Sequence, residues 1–157
     1  MEAKIGIKQK HLAKVAFELS TILADEFLLY TKTRNAHWNV EGPDFHSAHK
    51  FFEFQYEFLD EAMDDVAERI RSIGHDAPAT LKELLKLTRL TEDSREANDS
   101  AGYMKSLLMD HEAIIMRLRE CINVIMNEYQ DAGTSDFITG LMERHEKMAW
   151  MLRAHLK

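Results

Sequence analysis

Histidines and carboxylates cluster between residues 37 and 68, at spacings that suit a metal site. His49 and Glu53 are four residues apart, and so are Asp64 and Glu68. In an α-helix, side chains four residues apart project from one face. Imidazole mixed with carboxylate suits iron, manganese or zinc rather than calcium, which prefers oxygen ligands alone. The sequence therefore indicates a transition-metal site, although most single carboxylate pairs on helices are simply solvated surface.

A break between two helical segments places a further imidazole near the first pair. His37 lies at the end of one segment, Gly42-Pro43 interrupts the pattern, and His49 lies near the start of the next. Proline cannot continue a helix because it lacks the amide proton, but it can precede or open one. We therefore expect His37 to join His49 across a tight turn, whereas a lone histidine here would more often be a buried, hydrogen-bonded residue.

The two four-spaced pairs are too far apart to share one ion within one straight helix. His49 and Asp64 are separated by 15 residues, which is about 22 Å along the axis. Bonds from metals to protein ligands are only about 2.0–2.6 Å. Two antiparallel copies of this helix, related by a two-fold axis, would bring the imidazole end of one beside the carboxylate end of the other, twice per dimer.

Apolar residues recur near every 3.6 positions in four long segments, which predicts four long helices. Their expected spans are Lys8 or Lys10 to Asn39, Asp44 to Ile73, Ser100 to Tyr129, and Thr134 or Ser135 almost to Lys157, with Gly133 capping the third. A short amphipathic piece, Leu81–Leu87, lies between the second and third. The expected fold is an all-α four-helix bundle with a short extra helix, in a single domain spanning residues 1–157.

The composition excludes several classes of protein. None of the 157 residues belongs to an apolar run long enough for a membrane span, and the N-terminus has no secretory apolar region. The single cysteine, Cys121, cannot form an intrachain disulfide and is expected to be a small core residue. A cytoplasmic protein is the simplest interpretation. The net charge of −7 argues against a surface that grips nucleic acid as a whole and suits the attraction of cations.

The stretch AHWNVEGPDFHSAHKFFEFQYEFLDEAMDDVAERIRSIG resembles the Dps proteins, or mini-ferritins, the DNA-binding proteins of starved cells. The matching motif is His-Trp, a nearby Gly, a second His twelve residues after the first, and Asp-x-x-x-Glu-Arg. The C-terminal GTSDFITGLMERHEKMAWMLRAHL is similar to the family's last helix, so the resemblance covers almost the whole chain. It implies a ferritin-like bundle and a hollow homododecamer. Such a shell oxidises Fe²⁺ with H₂O₂, and also O₂, at intersubunit ferroxidase sites, stores ferric mineral and protects against oxidative stress.

The resemblance also implies roles for particular residues. His37 and His49 would come from one chain, and Asp64 and Glu68 from its neighbour, around a di-iron site that zinc or manganese can also occupy. Glu53 would complete or orient this site.

Three further positions carry alternatives. Trp38 would intercept radicals beside the site, or it would be a core aromatic at a dimer interface. Asp136, with Asp131 behind it, would line an acidic three-fold pore through which iron enters, or both would be ordinary helix-capping acids.

DNA binding is the family's namesake activity, and it typically uses a mobile, lysine-rich terminal extension. Residues 1–14 carry four lysines, Lys4, Lys8, Lys10 and Lys14, against Glu2. The first helix is expected to begin near Lys8 or Lys10, which leaves a short arm. Avidity over twelve copies would favour DNA binding, but a charge of −7 per chain would repel phosphate. We expect weak or absent DNA binding, with the nucleoid as a location only if DNA is bound.

Other functions compete with iron oxidation. A nucleoid-compacting protein with an incidental metal site is disfavoured by the weak basic arm. An intrachain di-metal oxidase would use Glu-x-x-His on two helices, and no glutamate in the sequence has a histidine three residues later. A purely structural bundle leaves the ligand spacing unexplained. Five other histidines match no ligand position and are expected at the surface or at helix ends: His11, His75, His111, His145 and His155.

Overall fold

The computed structural model describes residues 3–92 and 97–157, which form five helices. The helices are α1 (Gln9–Asn39), α2 (Phe45–Ser72), α3 (Leu81–Leu87), α4 (Ser100–Asn127) and α5 (Ala132–His155). The main contacts pair α1 with α2 and α4 with α5, and α3 lies against α1. The predicted all-α four-helix bundle with a short extra helix is therefore confirmed. Of the expected basic arm, Met1 and Glu2 lie outside the described residues.

The four long helices share one apolar core. Its largest fully buried side chains come from every long helix and from the end of α2: Leu12, Leu19, Ile22, Leu29, Phe52, Leu59, Ile70, Ile73, Leu107, Leu118, Ile125 and Ile138. Burial of such side chains stabilises each by roughly 1.5–3 kcal/mol relative to an exposed position. Among the described residues, no helix is both long and apolar enough to cross a membrane.

A five-residue turn joins α1 to α2 and fixes the two helices side by side. Gly42 takes a φ of +127°, a conformation that residues with a β-carbon rarely adopt. The amide of Glu41 donates to the carbonyl of Asn98, and Ser100 donates to the carboxylate of Asp44. The start of α4 therefore packs on this turn and holds it closed.

The short helix α3 is held against α1 by a buried carboxylate. Asp25 is only 1% exposed and accepts hydrogen bonds from the hydroxyl of Thr88, the amide of Arg89 and the Arg89 guanidinium. At the other end of α3, the hydroxyl of the N-cap Thr80 accepts from the amide of Glu83 and donates to the Glu83 carboxylate. The long connection after α2 is thereby anchored at both ends of its one helix.

The boundary between α4 and α5 differs from the prediction. Gln130 takes a left-handed φ of +59°, and the side chain of Asp131 then accepts a hydrogen bond from the amide of Thr134. Because aspartate is a strong N-cap residue, α5 begins at Ala132. Gly133 therefore lies in the first turn of α5, and its predicted role as the cap of the preceding helix is wrong.

Two of the histidines expected at the surface lie instead at the centre of the bundle. His111 in the middle of α4 and His145 in the middle of α5 are both 0% exposed. His145 bonds the carboxylate of Glu26, which is also 0% exposed. The surface prediction for these two residues is wrong, because a polar side chain can enter a core when a buried partner satisfies it. His155, by contrast, is exposed at the end of α5.

Candidate metal centre

His37 and His49 face each other where α1 ends and α2 begins. Their rings stack with centroids 3.7 Å apart and an interplanar angle of 21°. Nδ1 of His37 donates to the carbonyl of His49 at 2.9 Å, and Nδ1 of His49 donates to the carbonyl of His37 at 2.8 Å. The turn that joins the helices therefore locks the two imidazoles to each other's backbone.

These reciprocal bonds determine the tautomer of both rings. A carbonyl oxygen only accepts hydrogen bonds, so each Nδ1 must carry its hydrogen. Each neutral ring then keeps its lone pair on Nε2, which is the form that binds a metal. In metal sites, the hydrogen bond made by the other ring nitrogen also fixes the orientation of the metal-binding imidazole. The pair is thus prepared to offer two Nε2 atoms, with His37 buried and His49 partly exposed.

Glu53 lies one helical turn after His49 and belongs to the same end of the protomer. Its carboxylate accepts a hydrogen bond from Lys50 at 2.6 Å. That bond lowers the pKa of Glu53, and the nearby His37 and His49 contribute in the same direction. Glu53 therefore stays negatively charged at neutral pH beside the two imidazoles, where it can bind or attract a cation.

An aromatic wall that sequence reasoning missed supports the imidazole pair. The ring of Tyr56 meets His37 edge-on at 5.1 Å, and the guanidinium of Arg34 lies 3.8 Å from the Tyr56 ring centre. Arg34 also donates to the hydroxyl of Tyr30 at 2.8 Å. The four-residue spacing of Tyr30 and Arg34 was the available signal. Trp38 lies next to this wall and is 68% exposed on the protomer.

Asp64 and Glu68 occupy the opposite half of α2. Both are exposed, and neither has an ion pair with any residue that the structure describes. Asp64 lines a cleft of about 500 Å³ together with Asp60, Phe27 and Leu84. Because α2 is one continuous helix, Asp64 stays about 22 Å along the axis from His49. Over residues 3–92 and 97–157, no three histidine, cysteine, aspartate or glutamate side chains are grouped so that they could hold a metal ion.

The two acids predicted at an iron-entry pore lie at the start of α5 in different surroundings. Asp131 is 2% exposed and caps the helix: one carboxylate oxygen accepts from the amide of Thr134, and the other accepts from its hydroxyl. Arg69 also pairs with Asp131 at 3.3 Å. Asp136 is exposed one turn later. The helix-capping alternative describes Asp131, and a role in a pore stays a prediction for both residues.

Comparison with known proteins identifies the family. Residues 18–157 match the model of the ferritin-like domain family. An uncharacterized low temperature-induced protein of Nostoc is 40% identical over 98% of this chain and 86% of its own length. A DNA protection during starvation protein of Helicobacter pylori is 36% identical over 88% of this chain and 95% of its own length.

The fold matches solved structures over the whole chain. The crystal structure of the Dps protein from Vibrio cholerae, described as a member of the ferritin-like diiron-carboxylate superfamily, superposes with a TM-score of 0.92 at 29% identity. The match covers 99% of this chain and 97% of that one. A Dps protein from Bacillus brevis is 31% identical, with a TM-score of 0.88 over 96% of this chain and all of its own. The chain therefore belongs to the Dps family of ferritin-like proteins.

Proposed function

We propose that this protein oxidises Fe²⁺ at sites shared between two subunits and stores the ferric product inside a shell of twelve chains. Each site would combine His37, His49 and Glu53 of one subunit with Asp64 and Glu68 of its neighbour. Iron is the substrate, and zinc or manganese would compete for the same ligands. Removal of Fe²⁺ together with peroxide would protect the cell from oxidative damage.

The separation of the two half-sites along α2 carries this proposal. At one end of the helix, His49 and the adjoining His37 of α1 have prepared Nε2 lone pairs. At the other end, two exposed carboxylates have no ion-pair partner among the described residues. In neither half does the described structure group three ligand side chains closely enough to hold a metal ion. An antiparallel copy of α2 would put each half beside the missing one, and a two-fold axis creates both sites at once.

Exposed apolar side chains near both half-sites support a contact between subunits. Trp38 is 68% exposed beside the imidazoles. Leu81 and Leu85 of α3 are 66% and 55% exposed, and Leu85 lines an apolar groove of about 200 Å³ that it shares with Phe27. An exposed apolar groove of this kind marks a site of protein association. The partner subunit would cover it.

The ligand set suits oxidation of iron. Imidazole nitrogens bind Fe²⁺, carboxylates favour Fe³⁺, and a small number of protein ligands leaves positions open for an oxidant. Two Fe²⁺ ions supply one electron each to H₂O₂. With two protons taken up, the O–O bond breaks and two water molecules form, so hydroxyl radical is not released. Trp38, which follows His37 in the chain and contacts Arg34, would donate an electron to any radical that escapes this reaction.

The test is oxidation of Fe²⁺ by the assembled protein. Fe²⁺ is added anaerobically, peroxide follows, and ferric absorbance is recorded. We expect the double substitution Asp64→Ala with Glu68→Ala to slow peroxide-dependent oxidation at least tenfold at low iron loading. Asp65→Ala is the matched control, because Asp65 is also exposed on α2 and points about 100° away from Asp64.

Equal oxidation rates in the double variant and the wild type would contradict the proposed site. So would an equal loss in Asp65→Ala, because a general loss of surface charge would then explain the effect.

We infer that any protection of DNA comes from removing Fe²⁺ and peroxide rather than from tight DNA binding. The relatives' name concerns DNA protection, but each chain here carries −7, and a negative shell repels phosphate. In a gel-shift assay at physiological salt we expect no sub-micromolar binding. Binding in that range would favour the alternative of a nucleoid-compacting protein.

A further inference from the structure

A line of three polar side chains crosses the centre of the bundle, away from the candidate metal centre. Glu26 of α1, His145 of α5 and His111 of α4 are each 0% exposed. Nε2 of His145 lies 2.8 Å from the Glu26 carboxylate, and Nδ1 of His145 lies 2.9 Å from Nδ1 of His111. The three side chains therefore connect three of the four long helices through two short hydrogen bonds.

The arrangement is a chain rather than a cage. His145 lies in the middle and uses both ring nitrogens, one toward Glu26 and one toward His111. The three groups therefore do not surround a common point at which a metal ion could sit. This geometry accommodates a proton in one of the two hydrogen bonds rather than a metal ion.

The contact between the two rings limits how many protons the folded cluster can hold. A hydrogen bond between two Nδ1 atoms contains one hydrogen, because one nitrogen donates and the other accepts. A protonated imidazole carries hydrogen on both nitrogens. If both His111 and His145 were protonated, two N–H groups would point at each other across 2.9 Å. The folded cluster can therefore contain one imidazolium but not two.

The surroundings give a second positive charge no compensation. From α1 the cluster faces the single carboxylate of Glu26, and from α2 it faces the ring of Phe58, whose centroid is 5.4 Å from that of His145. Nε2 of His111 is buried without a hydrogen-bond partner in the described structure. Asp110, which precedes His111 on α4, pairs with Lys32 of α1.

We propose that Glu26, His145 and His111 form a pH-sensitive lock in the core of each subunit. Above the pH at which free histidine gains its proton, the chain of hydrogen bonds is complete and ties α1, α4 and α5 together. Below that pH, the unfolded chain binds a proton on each imidazole. The folded chain must either leave one imidazole unprotonated or break the contact between His111 and His145.

The direction of the effect follows from proton linkage. Burial, and then the charge of His145, hold the pKa of His111 well below the ordinary histidine value of 6.5. The folded state therefore binds fewer protons than the unfolded state below about pH 6.5. Stability from this source is fully present above that pH and is lost as the pH falls below it. The loss reaches up to about tenfold in the folding equilibrium per pH unit for one proton.

The experiment compares the pH dependence of unfolding in the wild type and in His111→Asn. The asparagine amide can donate or accept at the position of Nδ1 but cannot titrate. Denaturant unfolding is measured between pH 7.5 and 5 at one fixed subunit concentration, because association also affects stability. As the pH falls below 6.5, we expect the unfolding equilibrium constant of the wild type to rise about tenfold more per pH unit than that of His111→Asn. His46→Asn, which removes an exposed histidine, should leave the wild-type slope unchanged.

A second measurement uses the wild-type protein and needs no variant. Exchange of the imidazole carbon-bound hydrogen in D₂O, read by mass spectrometry on the intact assembly, reports the titration of individual histidines. We expect the pKa of His111 measured in this way to lie well below the ordinary histidine value of 6.5. Titration of both His111 and His145 near pH 6.5 in the folded protein would overturn the proposal, as would equal slopes for the wild type and His111→Asn.

Discussion

Hydrogen bonding at single residues decides what the candidate metal centre can offer. The backbone carbonyls of His37 and His49 hold the Nδ1 hydrogens, and this leaves both Nε2 atoms free for a metal without any search among tautomers. Lys50 keeps Glu53 charged next to them. In the proposed site, the imidazole half would be organised before a second subunit or iron binds, which would lower the entropic cost of binding.

Cys121 should be chemically inert in the folded protein. It is buried in α4, as the sequence predicted, and its sulfur contacts the carboxylate of Glu18 at 3.5 Å. Burial, followed by the negative charge of Glu18, raises the pKa of the thiol to about 11. Because the thiolate is the reactive form, labelling at pH 8 should be about a hundredfold slower in the native protein than in denaturant. Labelling at similar rates in both states would show that the thiol is neither buried nor shifted.

The neighbours of a residue could be predicted from the sequence where both residues lie close together in the chain. They could not be predicted where the partners come from distant helices. His37 and His49 flank a turn, so their proximity could be expected from the sequence alone. Glu26, His111 and His145 are far apart in sequence and meet only when α1, α4 and α5 pack. The available signal was that His111 sits between Leu107 and Ile114 in an apolar stripe, where a surface residue does not belong.

At the scale of the helix, the length of α2 separates the two half-sites. Its 28 residues contain no glycine or proline, so the helix runs without a break from the imidazoles to Asp64 and Glu68. A kink or a bulge would have changed this distance. The sequence predicted α2 to within one residue at each end because Pro43 and Gly74 bound it, and the amphipathic pattern of residues 81–87 gave the span of α3. It misplaced the start of α5, because Gly133 competed with Asp131 as the boundary signal.

The capping role of Asp131 has a measurable consequence for stability. Asp131→Ala removes both hydrogen bonds to Thr134 and the ion pair with Arg69, whose remaining side-chain bond is to the Thr134 hydroxyl. We expect the free energy of unfolding to fall by about 1–2 kcal/mol, the usual cost of a lost N-cap. Asp131→Asn retains a capping oxygen and should lose less.

Asp136→Asn is the surface control for this comparison, since Asp136 is exposed and should change stability by less than about 0.5 kcal/mol. A larger loss of unfolding free energy in Asp136→Asn than in Asp131→Ala, measured by denaturant unfolding, would contradict the capping role of Asp131.

At the scale of the whole molecule, the proposed site would exist only in an assembly of at least two chains. One protomer holds two incomplete halves and exposes apolar side chains next to both. No pattern within one chain specifies where a second copy docks. The sequence alone therefore predicts the two half-sites, but not how two chains would bring them together. Twelve copies of a −7 chain would carry −84, and such a charge would concentrate Fe²⁺ around the shell.

Mixing two inactive variants tests the shared site most directly. In His37→Ala and in Asp64→Ala, every shared site loses a ligand. When the two chains are unfolded together and reassembled at equal amounts, a site is intact only if an Asp64→Ala chain gives the imidazoles and a His37→Ala chain gives the carboxylates. Random pairing makes this true for about one quarter of sites.

We therefore predict that the mixed assembly regains about a quarter of the wild-type rate of peroxide-dependent Fe²⁺ oxidation, while each variant reassembled alone stays inactive. A mixed assembly that contains both chains and remains as inactive as its parents would contradict the shared site, because it would place all the ligands within one subunit.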